Sequence, residues 1–374
     1  MSATIEEYQL GETPWLVVTG DRFSAFRMLG ERQAHRIRAL AKDSNAIRKL
    51  QTRASAPRTA ELLAEVRKQS ESIYPEPWSE LVAMAQGADV PLNSLVLLNL
   101  RGDLGAEERL GCTDLAFRDR DALFLAHNED GAAEFQPYCV MLTLRLDGEP
   151  AVTTWWYPGF LPSNTVTFNQ YGLVWGIDNV RVAAPTGAPG RHFVARALQS
   201  SRSVSEVVER LRDEPSAGGF AYTVGQFGYP HAIQIETAAG HYAYRSTQHS
   251  GESLLWHTNH LLLLPSHLDT ATENSLTRAR TASTWTIPDS GPVDWCLQQL
   301  AVAPMPEGVR RDAAGDDLLV TLATFVVDLS AADVLVAARG HEATRIAAFD
   351  LINGRPGSQR PQSYEASSAL NGRQ

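Results

Sequence analysis

Gly111-Cys112-Thr113-Asp114-Leu115-Ala116-Phe117, followed eighteen residues after the cysteine by Asp130 in His127-Asn128-Glu129-Asp130, is the stretch from which the fold is read. Thr113–Phe117 and Ala122–Ala126 flank the polar turn Arg118–Asp121, the pattern of a β-hairpin. Two antiparallel strands bring the end of the second back beside the start of the first, so Asp130 is placed within reach of Cys112. A cysteine preceded by glycine can act twice. Its thiol can attack the carbonyl of Gly111 and cut its own chain. As a new N-terminus it then carries a thiol nucleophile and a free α-amine. With an ordinary pKa of about 8, that amine is a base at neutral pH. Glycine at the cut position has no Cβ to obstruct the thiol. The structural alternatives are a buried cysteine acting as a small hydrophobe and, for Asp130, a turn residue before Gly131.

Working outward, hairpins dominate the chain after Cys112. Tyr138–Leu146 alternates, with Val140, Leu142, Leu144 and Leu146 on one face. The turn Asp147-Gly148 leads into Ala151–Trp156. Val166–Asn169 and Gly172–Ile177 form another pair. Strands resume at Ala232–Glu236, Tyr242–Arg245, Leu254–Thr258, Leu318–Asp328 and Val334–Ala338. Upstream of Cys112, apart from a short strand at Trp15–Thr19, helical spacing prevails at Arg22–Leu50, at Glu61–Ser70 and after Pro91. It returns at His192–Gln199, from about Val204 (where Ser203 and Glu206 have capping-box spacing) and at Asn274–Trp285. Hairpins between groups of helices predict an α+β fold, antiparallel sheet covered by helices, in one domain. The residues from Asn353 onward, rich in Gly, Pro, Ser, Gln and Arg, read as a flexible tail, 353–374.

Composition narrows the classes. At 374 residues, with 44% hydrophobic and 20% charged residues, the chain is globular and can bury a large core. A net charge of −10 argues against nucleic acid, whose recognition needs a basic face. Cys112, Cys139 and Cys296 are too few for a disulfide framework, which points to a reducing, cytoplasmic setting. Met1–Leu10 is polar and acidic rather than a signal peptide. The apolar runs Ser94–Leu100 and Leu261–Pro265 are too short to span a membrane.

Beside Cys112, three further groups are candidates for chemistry. Asn179, after the strand Gly172–Ile177, could place its amide N–H₂ at a developing oxyanion; its neighbour Asp178, when ionised, can only accept. His257-Thr258-Asn259-His260 is a polar strand end. It lacks a carboxylate or cysteine at metal-ligand spacing, so no metal is expected. Trp156, within Trp155-Trp156-Tyr157-Pro158-Gly159-Phe160, could wall an apolar acyl pocket, although aromatic clusters are more often core. No Gly-x-Ser-x-Gly elbow is present.

Taken in order, these motifs resemble the acyl-coenzyme A:6-aminopenicillanic-acid acyltransferase family of N-terminal-nucleophile hydrolases, which also includes carcinine-hydrolase-like proteins. The resemblance runs through Gly87-Ala88-Asp89-Val90-Pro91 leading to Arg101, Gly111-Cys112-Thr113, and Asn128-x-Asp130. It continues through Asn169-x-x-Gly172-Leu173, Pro189-Gly190-Arg191-His192-Phe193, His257-Thr258-Asn259-His260, Ser275-x-x-Arg278 and Thr321–Asp328. It implies a four-layer αββα sandwich and autocatalytic cleavage into residues 1–111, mostly helical, and 112–374, which stay associated. The body of the second piece would end at residue 352. It further implies Cys112 as nucleophile, Asp130 as partner of its amine and Asn259 as an active-site amide. His127 stands where bile-salt and ceramide-cleaving relatives carry arginine, Glu129 replaces a large apolar residue, and Arg101-Gly102-Asp103 departs from the usual Arg-Ser/Thr-Glu. The family's oxyanion asparagine aligns with either Asp178 or Asn179.

The expected activity is hydrolysis of a linear amide through an acyl-Cys112 thioester, with Asn128 and His257 as supporting polar groups. An acyltransferase is the alternative, and it would admit an acyl-coenzyme A as co-substrate; otherwise no cofactor is expected. A small N-acyl or amine substrate is the expected partner, with no nucleic acid and no membrane, and a homo-oligomer is left open. A non-catalytic scaffold would instead keep the chain uncut.

Overall fold

The computed structural model describes residues 3–43, 45–105, 110–119, 122–248, 253–315 and 317–362. The chain begins with a hairpin, β1 (Thr4–Leu10) and β2 (Thr13–Gly20). Six helices follow: α1 (Arg22–Arg32), α2 (Ala34–Arg38), α3 (Asn45–Ala54), α4 (Pro57–Ile73), α5 (Pro75–Ala88) and α6 (Leu92–Leu100). Next come β3 (Leu110–Asp119), β4 (Ala122–Ala132), β5 (Val140–Leu146), β6 (Val152–Trp156), β7 (Thr167–Asn169) and β8 (Leu173–Val180). Helices α7 (Arg191–Leu198) and α8 (Val204–Asp213) precede β9 (Gly219–Gln226), β10 (Ile233–Ala238), β11 (His241–Ser246) and β12 (Leu254–His257). The chain closes with α9 (Glu273–Ala282), α10 (Pro292–Leu297), β13 (Leu319–Asp328), β14 (Asp333–Ala338), β15 (Ala343–Ala347), α11 (Ala348–Ile352) and β16 (Arg360–Gln362).

Two sheets result. One has nine strands in the order β1-β2-β5-β6-β7-β8-β9-β10-β11, the other seven in the order β12-β3-β4-β13-β14-β15-β16. Every pairing is antiparallel except β2 with β5, which is parallel and ties the N-terminal hairpin to the body of the first sheet. The segment before Cys112 is therefore less purely helical than expected.

Side-chain alternation along the strands sets the layers. Val140, Leu142, Leu144 and Leu146 of β5 join Trp156, Trp175 and Ile177 in a core shared with Phe26, Leu81, Met84 and Phe193 of the helices. The opposite faces, including Trp15, Met141, Trp155 and Val174, meet Ala116, Leu125, Phe325 and Val336 of the second sheet. That sheet's outer face, with Leu115, Phe117, Phe124 and Val326, is covered by Cys296, Leu297 and Leu300. Helix, sheet, sheet, helix is the order, an α+β sandwich of four layers. Truncating one of the fully buried aromatic anchors, such as Phe193, to Ala would cost about 3–5 kcal/mol.

Local signals mostly hold. Ser203 Oγ caps α8 by accepting from Glu206 N at 3.2 Å. No strand was expected over β9, whose Phe220, Tyr222 and Val224 line the helix-side core. The expected tail also needs correction. From Asn353 the chain passes through a short turn into β16, which pairs with β15, and Gln359 Nε2 donates to Gln9 O at 2.8 Å. Only 363–374, like the turn residues Arg120 and Asp121, lie outside the described residues.

Candidate active site

Strand β3 runs straight through the Gly111–Cys112 junction, and its register with β4 organises everything around it. Gly111 pairs with Asp130, Cys112 with Glu129, Thr113 with Asn128 and Asp114 with His127. Paired residues share a face and neighbours alternate. Cys112, Asp114, His127 and Glu129 therefore project between the two sheets, whereas Thr113, Asn128 and Asp130 project outward. Asp130 lies within the strand, not in a turn after it.

The outward face is held by arginine. Continuing the β12–β3 register beyond His257 and Asp114 brings Asn259 opposite Cys112. Asn259 Oδ1 accepts from the Cys112 backbone N at 3.1 Å, and its Nδ2 donates to Asn179 O at 3.0 Å. Helix α9, capped by Thr272, presents Ser275 and Arg278 one turn apart on a single face. Ser275 Oγ accepts from Asn259 N at 2.8 Å. Arg278 donates through Nη1 to Cys112 O (2.5 Å) and Thr113 Oγ1 (2.8 Å), and through Nη2 to Asn259 Oδ1 (2.5 Å). Asp130 Oδ1 accepts from Thr321 Oγ1 at 2.7 Å, and its Oδ2 lies 4.0 Å from Arg311 Nη1. Burial pushes the Asp130 carboxyl up to about 6, against the pull of Arg311 and Arg278. Gly111 is glycine for room: a Cβ there would run into the Arg311 guanidinium.

The inward face is a buried acid–base chain. Tyr157 OH donates to Glu129 Oε1 at 2.6 Å; Glu129 Oε2 lies 3.1 Å from His127 Nε2; His127 Nδ1 lies 2.7 Å from Asp114 Oδ1. Across Gly176, where a Cβ would strike Asp114 and His127, a second chain begins. Asp178 Oδ2 lies 3.2 Å from His257 Nδ1, and His257 Nε2 lies 3.1 Å from Glu236 Oε1. Glu236 also accepts from the backbone N of Leu262, Leu263 and Leu264. All six charged side chains are buried. Burial alone would lower both imidazoles. Their carboxylate partners reverse this and hold His127 up to about 10 and His257 up to about 9. Burial raises Glu129 and Asp178 as well. The Cys112 thiol, 3% exposed, is raised well above its ordinary range by burial and by the charges of Glu129, Asp178 and Asp130, with a backbone N–H of Asp130 opposing. Held this way it is a thiol, not a thiolate.

The structure gathers Cys112, Asp130, Asn259, His127, Asp178 and His257, and displaces others. Asn179 turns its side chain toward the helical layer, where Arg191 Nη1 donates to its Oδ1; only its backbone oxygen reaches Asn259. Asn128 braces the outer layer, its Nδ2 donating to Leu300 O at 2.6 Å and its Oδ1 accepting from Thr324 Oγ1 at 2.6 Å. Trp156 belongs to the helix-side core and donates to Phe160 O at 2.8 Å, so it does not wall the thiol; Tyr157 does face that side. Arg101 stacks 4.5 Å over the Phe160 ring.

Sequence reasoning gave no role to Arg311, Asp114 or Tyr157, and saw Arg278 only within a motif. The i, i+3 pair Ser275/Arg278 and the polar alternation Cys112/Asp114 against His127/Glu129 were the available signals. Nor did it foresee that Cys112, His127 and Glu129 bring ligand-type atoms within 4.8 Å of one another. Both His127 nitrogens already face carboxylates, so this donor set fits a hydrogen-bonded chain rather than a cation.

Residues 117–334 match the family model for acyl-coenzyme A:6-aminopenicillanic acid acyl-transferase. The chain belongs to that family. The match begins just after Cys112 and includes Asp130, Asn259 and Arg278. A β-alanyl-dopamine/carcinine hydrolase of Drosophila melanogaster is 24% identical over 178 residues, which are 42% of this chain and 46% of that protein. The 40 kDa form of the acyl-coenzyme A:6-aminopenicillanic-acid acyltransferase of Emericella nidulans is 26% identical over 166 residues, 43% of this chain and 45% of that protein. The chain thus spans less than half the length of these curated relatives. Among solved structures, penicillin V acylase from Agrobacterium tumefaciens overlaps with a TM-score of 0.38 at 12% identity, covering 64% of this chain and 87% of that one. Among the described residues no helix is long and apolar enough to cross a membrane.

Proposed function

We propose that this family member cuts itself between Gly111 and Cys112 and then works as a cysteine amidohydrolase. The observation that carries the reading is the hold on the Cys112 backbone nitrogen, which Asn259 Oδ1 accepts while Arg278 binds both Asn259 and the Cys112 carbonyl. A nitrogen fixed in this way becomes a fixed α-amine once the bond before it is broken. The Cys112 thiol attacks the carbonyl of a small N-acyl amine or peptide-like substrate, and the amine accepts the thiol proton and returns it to the leaving nitrogen. Water then releases the acyl group from the Cys112 thioester. Asn259, whose amide stands beside the reacting carbonyl once the segment before Cys112 withdraws, supplies the oxyanion donor, and Asp130 supports the amine through the arginine layer. No cofactor enters this cycle. The parallel β2–β5 pairing and the helix-side core keep residues 1–111 bound to the rest after the cut. The three free thiols support a cytoplasmic setting.

Acyl transfer to an amine is the second reading, supported by the name of the Emericella relative, as hydrolysis is by that of the Drosophila one. Denaturing mass analysis of wild type beside Cys112→Ala, followed by a panel of N-acyl amines with and without an acyl-coenzyme A donor, tests both. Two fragments and acid release without the donor are expected. An intact wild-type chain would reject the mechanism; product formed only with the thioester donor would reject hydrolysis in favour of transfer.

A further inference from the structure

We propose that Glu129 is the base that takes the Cys112 thiol proton when the chain cuts itself. The proposal rests on the self-cleavage reading above and concerns a step that reading leaves without a base. Before the cut, the Cys112 nitrogen is an amide and has no lone pair to offer. A thiol this deeply buried does not ionise unaided. Some other group must accept its proton.

The β3–β4 register leaves few choices. Glu129 lies directly opposite Cys112 on the same inward face, and its carboxylate, the His127 ring and the sulfur lie within 4.8 Å of one another. Asp130 projects outward, toward Thr321 and Arg311. Asp178, on the other sheet, is engaged by His257. His127 sits between Asp114 and Glu129 with both nitrogens engaged, so it carries its proton and cannot take another. Its part is to position Glu129, together with the Tyr157 hydroxyl. Glu129 is thus faced by His127, Tyr157 and Cys112, with Asp114 one step further along the chain.

The step balances. The sulfur's proton passes to the Glu129 carboxylate as the bond from Sγ to the Gly111 carbonyl carbon forms. Glu129 returns that proton to the Cys112 nitrogen as the carbon–nitrogen bond breaks, leaving a Gly111 thioester and a free amine. One water then hydrolyses the thioester to a Gly111 carboxylate and a free thiol. From that point the amine replaces Glu129 as the base.

The test is a scission time course on the full chain, made by cell-free synthesis and followed by denaturing intact mass. Glu129→Gln should slow scission at least about a hundredfold, within the usual range for a general base. Hydroxylamine, which cuts a thioester already formed, should not restore the rate. Glu129→Asp, a carboxylate withdrawn by one methylene, should cut at an intermediate rate and keep the pH-dependent limb that Glu129→Gln loses. That second variant decides the matter should glutamine disturb the fold. Wild-type scission rates in Glu129→Gln, or hydroxylamine-released fragments at the wild-type rate, would overturn the proposal while leaving self-cleavage standing. A wild-type chain that never cuts would instead remove the reading beneath it.

Discussion

The two faces of the β3–β4 ribbon differ in almost everything but sequence. Inward, Cys112 sits beside a chain of one imidazole and two carboxylates, Asp114, His127 and Glu129, with no guanidinium among them. Outward, Thr113, Asn128 and Asp130 meet Arg278, Arg311, Thr321 and Thr324. An imidazole hydrogen-bonded between carboxylates can relay a proton, because both kinds of group can give and accept one. A guanidinium stays charged and offers fixed donors, so it holds geometry. On the self-cleavage reading proposed above, the lesson is a division of labour: one face handles the sulfur's proton, the other fixes the backbone to be cut.

Breaking each face in turn should separate these roles. The largest effect belongs to Cys112→Ala, which should abolish both scission and turnover, as read by intact mass and product release. Next, Asn259→Ala should lower turnover in the cut fraction by about 10²–10³, the usual cost of losing an oxyanion donor. Asn179→Ala, whose side chain serves Arg191, should cost less than tenfold in the same assay and register mainly as lost stability. Asn128→Ala, which orphans Thr324 Oγ1 and Leu300 O, should lower unfolding stability by about 1–3 kcal/mol while the folded fraction cuts itself normally.

pH should sharpen the comparison with the smallest shifts. The imidazole pKa values of the inward face are raised from 6.5 to about 10 for His127 and about 9 for His257. Their stabilisation is therefore full below about 6.5 and lost as pH rises through 9–10. Buried Asp178, raised to about 8, holds a proton the unfolded chain would release, and burial moves Glu129 in the same direction, so both favour lower pH. On the outward face, Asp130 is raised from 3.8 to about 6, so its cost grows between pH 4 and 6. Thermal melts across pH 4–10 should fall in both windows. Asp130→Asn should remove only the lower one, and a melt that rises between pH 7 and 10 would contradict the inward chain.

The hairpin of β3 and β4 was legible because its cue is local: alternation on either side of a polar turn. So was the approach of Cys112 and Asp130, since an antiparallel hairpin fixes which residues return to each other. Glu129 could be noticed as a departure, but its role could not be read, because a carboxylate in a strand looks solvent-facing until a second sheet covers it. Arg311 left no trace at all; its place beside Gly111 depends on a loop 200 residues away in the chain. Trp156 and Asn179 misled for a related reason. Their neighbours Tyr157 and Asp178 hold the inward positions, and a shift of one residue reverses the face.

By itself, then, the amino-acid order singled out Cys112 and determined the hairpin that bears it and the class of fold, because hydrophobic period and turn chemistry act over a few residues. Which polar groups surround the sulfur was decided only in three dimensions. Stacking one sheet on the other buries the inward side chains together, and only their shared exclusion from water turns scattered acids and histidines into one coupled chain.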